Sequence, residues 1–142
     1  LDEKKGPPPE VNLFNEKNNG ETLLNLIEKN YIKSAHDVSL GGIITAISKM
    51  CIKGNKGIKF KKSTNLISDI EFFFAEDQGR YIIEIDQKNL KDVYKILDKN
   101  SVHHEELGII TEKEIIINEK TKVTIDELKS YNTNWLKGYM SS

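Results

Sequence analysis

Cysteine and proline are scarce in this chain, and neither sign of charge prevails. Cys51 is the single cysteine, so no disulfide can form within the chain. A reducing compartment is the natural setting, and a cytoplasmic location is expected. No run nears the roughly 18 uninterrupted apolar residues of a membrane-spanning helix. No basic stretch leading into an apolar leader is visible either, so neither a membrane partner nor a secretory route is expected. With 21 basic and 22 acidic side chains, the formal charge is −1. That balance lacks the electrostatic footprint of a nucleic-acid binder, although a local phosphate site stays compatible with it.

The three prolines are adjacent, Pro7, Pro8 and Pro9, and follow Lys4-Lys5-Gly6. Such a run cannot be helix interior and favours extended polyproline geometry. Residues 1–14 are therefore expected to be a lead-in, a linker or a strap across a neighbouring domain, and residues 15–142 a domain. Of the 142 residues, 37% are hydrophobic and 30% charged, which suits one soluble globular unit with its own core. The opening residue is Leu1, which suggests a piece of something longer. The abundance of Lys, Asn and Ile is read as codon bias rather than chemistry.

Periodicity supplies the elements. Leu23, Leu26 and Ile27 recur at helical spacing within 15–30, and a short strand is expected at 32–36. In the segment after Gly42, Ile43, Ile47, Met50 and Cys51 share one helical face, and Gly54 is a stop signal. Alternation predicts a strand at 57–60. Residues 63–72 are ambiguous between helix and loop. Residues 80–85 are β-branched and aromatic enough for a strand, and Leu90, Val93, Tyr94 and Leu97 mark a helix over 87–99. Strands are expected at 102–110 and 114–118, the second paired with 121–124 as a hairpin. Thr124-Ile125-Asp126-Glu127 has capping-box form and opens a last helix bearing Leu128, Tyr131, Trp135 and Tyr139. The order implies an α+β or layered α/β domain.

Two constellations can carry chemistry. In Ser34-Ala35-His36-Asp37-Val38-Ser39-Leu40-Gly41-Gly42, a strand runs through Ser39, Gly41 and Gly42 into a helix. Free N–H groups and the positive dipole end at a helix start suit an anion. The alternative is that Ser39 caps the helix and the glycines permit tight packing, and residue chemistry alone favours this. In Phe72-Phe73-Phe74-Ala75-Glu76-Asp77-Gln78-Gly79-Arg80-Tyr81, three aromatics meet a polar cluster. Glu76, Asp77, Gln78 and Arg80 can read a ribose, an amide or a nucleotide. A solvated turn with an Arg80–carboxylate pair is the plainer alternative.

His103 and His104 beside Glu105 and Glu106 suggest a metal, but neighbours on a strand point to opposite faces and no other spaced ligand helps. Cys51 is expected as a buried packing thiol. Trp135, with Tyr131 and Tyr139, is expected in the core or at an interdomain contact.

The motifs Gly6-Pro7-Pro8-Pro9, Ala35-His36-Asp37-Val38-Ser39-x-Gly41-Gly42, Glu76-Asp77-Gln78-Gly79-Arg80-Tyr81 and Trp135-Leu136-x-x-Tyr139-Met140 occur in this order. Together they resemble the last domain of the large, PurL-type phosphoribosylformylglycinamidine synthases, within the aminoimidazole ribonucleotide synthetase superfamily. The resemblance spans nearly the whole chain. It implies a three-layer α/β/α fold with a mostly antiparallel sheet, as the second C-terminal-type domain of a duplicated large subunit. It also implies a ligase reaction of purine biosynthesis by the full-length enzyme. ATP and magnesium serve to phosphorylate the formyl amide of formylglycinamide ribonucleotide, and ammonia then displaces phosphate to give the amidine. The implied partners are the nucleotide-binding domains of the same chain and the glutaminase and small accessory subunits.

In that family the catalytic histidine and the magnesium carboxylates lie in the nucleotide domains. No catalytic or metal-binding residue is therefore expected here, no cofactor is expected on this part alone, and this part alone is expected to be inactive. Glu76, Asp77 and Gln78 would be the second-repeat counterpart of a substrate-contacting loop, with Ser39, Gly41 and Gly42 offering amides to a phosphate. Leu40 stands where the family usually carries an acidic residue, and Ala75 where glycine is frequent. Two alternatives are another enzyme of the superfamily, against which the Glu76–Tyr81 loop and the Trp135 ending speak, and a noncatalytic protein-interaction module using Phe72-Phe73-Phe74 and Trp135.

Overall fold

The structure is a computed structural model, and it describes residues 11–61, 68–118 and 121–141. The Gly6–Pro9 run and residues 63–67 lie outside the described residues. Among the described residues, twelve elements follow one another. They are α1 (Leu13–Glu28), β1 (Ile32–Asp37), α2 (Gly42–Gly54), β2 (Gly57–Phe60), α3 (Asp69–Phe74) and β3 (Tyr81–Ile85). A 3-10 turn (Gln87–Asn89) then leads into α4 (Leu90–Lys99), β4 (Gly108–Thr111), β5 (Glu114–Ile116), β6 (Lys122–Thr124) and α5 (Ile125–Met140).

The strands form two sheets, β1-β3 and β4-β2-β5-β6. Three of the pairings are antiparallel and one, β2 with β5, is parallel. The expected α+β class and antiparallel bias both hold. The expected 114–118/121–124 hairpin is present as β5 and β6, with Ile115 opposite Val123.

Alternation on β3 explains the layering around the first sheet. Ile83 and Ile85 pack toward a cluster built on Leu26 of α1 and on Val93 and Leu97 of α4. Ile82, of opposite parity, enters the main core with Ile43, Ala46, Ile47 and Cys51 of α2. Helices thus cover both faces of the pair, as period-2 side chains require. The main core also takes Ile58 and Phe60 of β2, Phe73 of α3, Ile115 and Ile125. Phe73 meets Phe60 edge-on at 5.0 Å between ring centres, a favourable aromatic geometry.

Several expectations are corrected. The expected strand over 102–110 is reduced to Gly108–Thr111, since only these residues pair with β2. His103 and His104 are therefore not on a strand. The His104 ring instead lies 5.1 Å from Tyr94, with Nδ1 3.0 Å from the Val102 carbonyl oxygen. On α1 the buried residues are Thr22 and Leu26, while Ile27 is exposed, so the helix is rotated relative to the face read from apolar spacing. The aromatic run sits on α3, opened by a Ser68–Glu71 capping box. Phe73 is buried and Phe74 exposed. Of the two readings for Trp135, Tyr131 and Tyr139, core or interdomain contact, exposure of all three excludes the core.

Candidate functional site

Pairing between β1 and β3 joins the two constellations. Asp37 lies opposite Tyr81, and the Val38 N–H donates to the Arg80 carbonyl at 2.9 Å. The ladder therefore sets residues 38–42 beside residues 75–80, although about 35 positions separate them in the sequence. A shallow groove of about 420 Å³ opens there, lined by Glu16 of α1 and by Asp37, Ser39, Leu40, Glu76, Gln78, Arg80 and Tyr81.

The start of α2 is unusual. Its N-cap is Gly41, at φ +83°, with no side-chain cap, so Ser39 does not cap the helix as its residue type suggested. The Ser39 carbonyl instead accepts from the Gly42 N–H at 3.0 Å. The anion at this helix start is internal: the Gly41 N–H donates to Glu76 Oε1 at 2.6 Å. A carboxylate there matches the positive dipole end and satisfies a donor the helix leaves open.

Gly42, at φ +68°, serves close packing, because a Cβ at this position would lie 2.6 Å from the Phe73 carbonyl oxygen. The packing reading of the glycines thus holds for Gly42, while Gly41 offers its amide to an acid.

Arg80 holds the loop. Its guanidinium donates to the Ala75 carbonyl at 2.5 Å and to the Asp77 carbonyl at 3.4 Å. It also pairs with the Asp77 carboxylate at 3.4 Å, the pair expected from the sequence. A planar cation with five donors is suited to gathering several oxygens at once. From α1, Asn19 donates to the Gly79 carbonyl at 3.0 Å. Neither Asn19 nor Glu16 was singled out from the sequence, because both lie on α1, about 60 residues away from the Gly79 loop that they meet. Of the seven expected residues, Ser39, Glu76, Gln78 and Arg80 line the groove. Gly41 reaches it through Glu76, Asp77 supports the loop through Arg80, and Gly42 faces α3.

Elsewhere, Cys51 is 6% exposed, and burial pushes its thiol up to about 11, with the nearby Glu84 charge adding to the effect. That is a packing thiol and not a nucleophile at neutral pH. Among the described residues no group of three or more His, Cys, Asp or Glu is placed to hold a metal ion. No helix among the described residues is long and apolar enough to cross a membrane.

These features define an α+β domain in which a strand pair carries a polar groove to the start of a glycine-opened helix. The chain belongs to the family described as AIR synthase related protein, C-terminal domain, whose model matches residues 1–118. It is 64% identical over all 142 residues to the phosphoribosylformylglycinamidine synthase subunit PurL of Pelagibacter ubique, covering 20% of that protein. It is 37% identical over 122 residues to the same subunit of Caldanaerobacter subterraneus, covering 86% of this chain and 16% of that protein. The chain thus spans about a fifth or less of the length of these curated relatives.

Among solved structures, the fold is similar to that of Thermotoga maritima PurL complexed with FGAR. The TM-score is 0.72 and the identity 20%, over 83% of this chain and 21% of that one. It is also similar to a chain of the Thermotoga maritima PurLQS structure, with a TM-score of 0.74 and 19% identity, over 84% of this chain and 22% of that one.

Proposed function

We propose that this chain is the closing domain, residues 15–142 with a lead-in before it, of a PurL-type phosphoribosylformylglycinamidine synthase. In this reading the whole polypeptide is an ATP-dependent C–N ligase of purine biosynthesis. It converts formylglycinamide ribonucleotide and glutamine-derived ammonia to the amidine, with ATP and Mg2+ held on other parts of the polypeptide. The observation that carries the reading is 64% identity along the full chain to a PurL subunit of which it covers 20%.

The domain's own part is to flank a ligand rather than to perform chemistry. Glu76 and Arg80 are committed to internal bonds, and the groove is shallow, unlike the enclosed apolar pockets in which catalytic groups are usually activated. Ser39 and Gln78, which line the groove, are the residues expected to flank a ligand held on a neighbouring part of the polypeptide. Its expected partners are the nucleotide-binding domains of the same polypeptide, a glutaminase subunit and a small accessory subunit, all in the cytoplasm.

The test is an assay of phosphate release from ATP with formylglycinamide ribonucleotide and ammonia. The longer polypeptide containing this domain is expected to turn over, and the 142-residue chain is not. Turnover by the 142-residue chain, or none by the longer polypeptide with any amide ribonucleotide, would overturn the reading.

A further inference from the structure

One edge of the four-stranded sheet is open. Among the described residues β4 pairs with β2 alone and stands at the end of the sheet order. The Lys61 N–H donates to the Leu107 carbonyl at 2.9 Å, and Lys59 and Gly57 then lie opposite Ile109 and Thr111. Bonded pairs alternate along an antiparallel ladder. Ile109 and Thr111 therefore bond to β2, and Gly108 and Ile110 turn their N–H and C=O groups to the outside. Ile109 is 57% exposed and Ile110 54%, although apolar neighbours of opposite parity are the mark of a strand covered on both faces.

A cleft of about 1070 Å³ runs along this edge and reaches the β1–β3 pair. Consecutive residues line it, Gly108–Ile110 on β4, Lys33–His36 on β1 and Tyr81–Ile85 on β3. Successive side chains on a strand point to opposite faces, so the cleft borders strand edges rather than one sheet face. Met50 of α2 and Tyr94 of α4 also line it, and they belong to the clusters on opposite faces of β1–β3. The cleft thus lies within the strand layer, between the two sheets, with a helix on either side. Its open N–H and C=O groups are a template for strand addition.

Charge states the chemistry of the added strand. The acids at the cleft are already matched. Glu84 accepts from the Ser34 hydroxyl at 2.8 Å, Asp86 pairs with Lys33 at 2.6 Å and Glu106 with Lys61 at 2.6 Å, and Glu105 is engaged as well. Lys49, Lys53 and Lys56 line the same cleft. They are exposed and make no ion pair or hydrogen bond with a described residue. The unmatched charge is positive, and its complement is a carboxylate. The lead-in carries all three prolines of the chain, and proline cannot donate to a central ladder. The chain covers 20% of the Pelagibacter ubique subunit, so four-fifths of such a polypeptide is available to supply the strand.

We infer that the cleft between the two sheets receives an extended segment of the PurL-type polypeptide from outside these 142 residues. The segment is apolar along its middle and acidic where it meets Lys49, Lys53 and Lys56, and it bonds to Gly108 and Ile110. The inference rests on the proposed function above. A second copy of the chain and a separate subunit are the competing occupants.

Residue-resolved hydrogen exchange, in the longer polypeptide and in the 142-residue chain, tests it. The Gly108 and Ile110 amides are expected to exchange fast in the short chain and about tenfold or more slower in the longer polypeptide alone. The Ile109 and Thr111 amides, already bonded to β2, should be slow in both. The added protection should not depend on protein concentration. It should fall about tenfold in a Lys49→Glu, Lys53→Glu double variant, with exchange at Ile115 in the core unchanged. Equal exchange of Gly108 and Ile110 in the two proteins would overturn the inference. So would protection of the short chain that grows with concentration, protection that arises only when a glutaminase subunit is added, or full protection in the double variant. Phosphate release, measured on the same preparation, keeps the two proposals apart. An active polypeptide with fast Gly108 and Ile110 amides defeats the added strand alone, and an inactive one with both amides protected defeats the proposed function alone.

Discussion

Glu76 Oε1 sits 2.6 Å from the Gly41 amide nitrogen, so the first turn of α2 is closed by an acid from the loop that precedes β3. This bond links the two sequence constellations and fills the seat that either would otherwise offer to a phosphate. Replacing Glu76 by Gln keeps an acceptor and removes the charge, and is expected to cost about 0.3–1 kcal/mol. Glu76→Ala removes both and should cost more. Chemical denaturation of the two variants checks the order, and equal stabilities would show that the carboxylate contributes nothing at this helix start.

Gly42 tolerates no side chain. Its φ is +68°, and an added Cβ would meet backbone atoms of Phe73 and Phe74 at 2.6–2.8 Å. Left-handed backbone strain and overpacking together predict a loss of about 2–5 kcal/mol for Gly42→Ala. Gly54, at the other end of α2, has nothing within 4 Å of an added Cβ. Gly54→Ala should be neutral or stabilise by up to about 1 kcal/mol. Urea midpoints of the two variants, displaced in opposite directions, are the expected result.

The start of α5 responds to acid. Glu127 accepts from the Thr124 hydroxyl at 2.7 Å and from its N–H at 2.9 Å. These two bonds hold its carboxyl below the usual glutamate range, the hydroxyl first. A lowered folded value means that the stabilisation is complete above the unfolded-state value and disappears as pH falls through the folded one. Thermal melts between about pH 6 and pH 3 should therefore show a smaller acid loss for Glu127→Gln than for the parent. Thr124→Ala, which removes the cap itself, should cost about 1 kcal/mol at neutral pH.

Cys51 should resist thiol reagents in the native protein. With its thiol pushed up to about 11 and its side chain buried among residues of α2 and the sheets, only about one molecule in a thousand is thiolate at pH 8. Labelling by an aromatic disulfide is expected to be slow in buffer and complete within the mixing time in denaturant. Rapid labelling of the folded chain would mean that α2 opens locally.

Much of this architecture was legible beforehand because it is local. Ile43, Ile47, Met50 and Cys51 read as one helical face, and the core takes Ile43, Ile47 and Cys51 with Met50 packed against them. The Gly57–Phe60 strand and the Thr124–Glu127 capping box were likewise placed by spacing alone. The misplaced residues failed for tertiary reasons. Ile27 is apolar but exposed while Thr22 is buried, because the line along which α1 meets α4 decides its inner face. Residues 102–107 look like strand, but the β2 ladder register runs only over Gly108–Thr111, and a continuous ladder makes a strand.

The site divides in the same way. Residue types along the chain sufficed to single out Ser39, Gly41, Gly42, Glu76, Asp77, Gln78 and Arg80, since glycines before a helix and a dense polar turn are local signals. Only the folded chain decided what each does. It turned Gly42 toward α3, gave the Gly41 amide to Glu76, closed Arg80 on the Ala75 carbonyl and brought Asn19 to Gly79. Periodicity and capping act over a few residues, and composition records them. A hydrogen bond between positions 41 and 76 exists only because the β1–β3 register brings the two loops together, and no short stretch of sequence encodes that register.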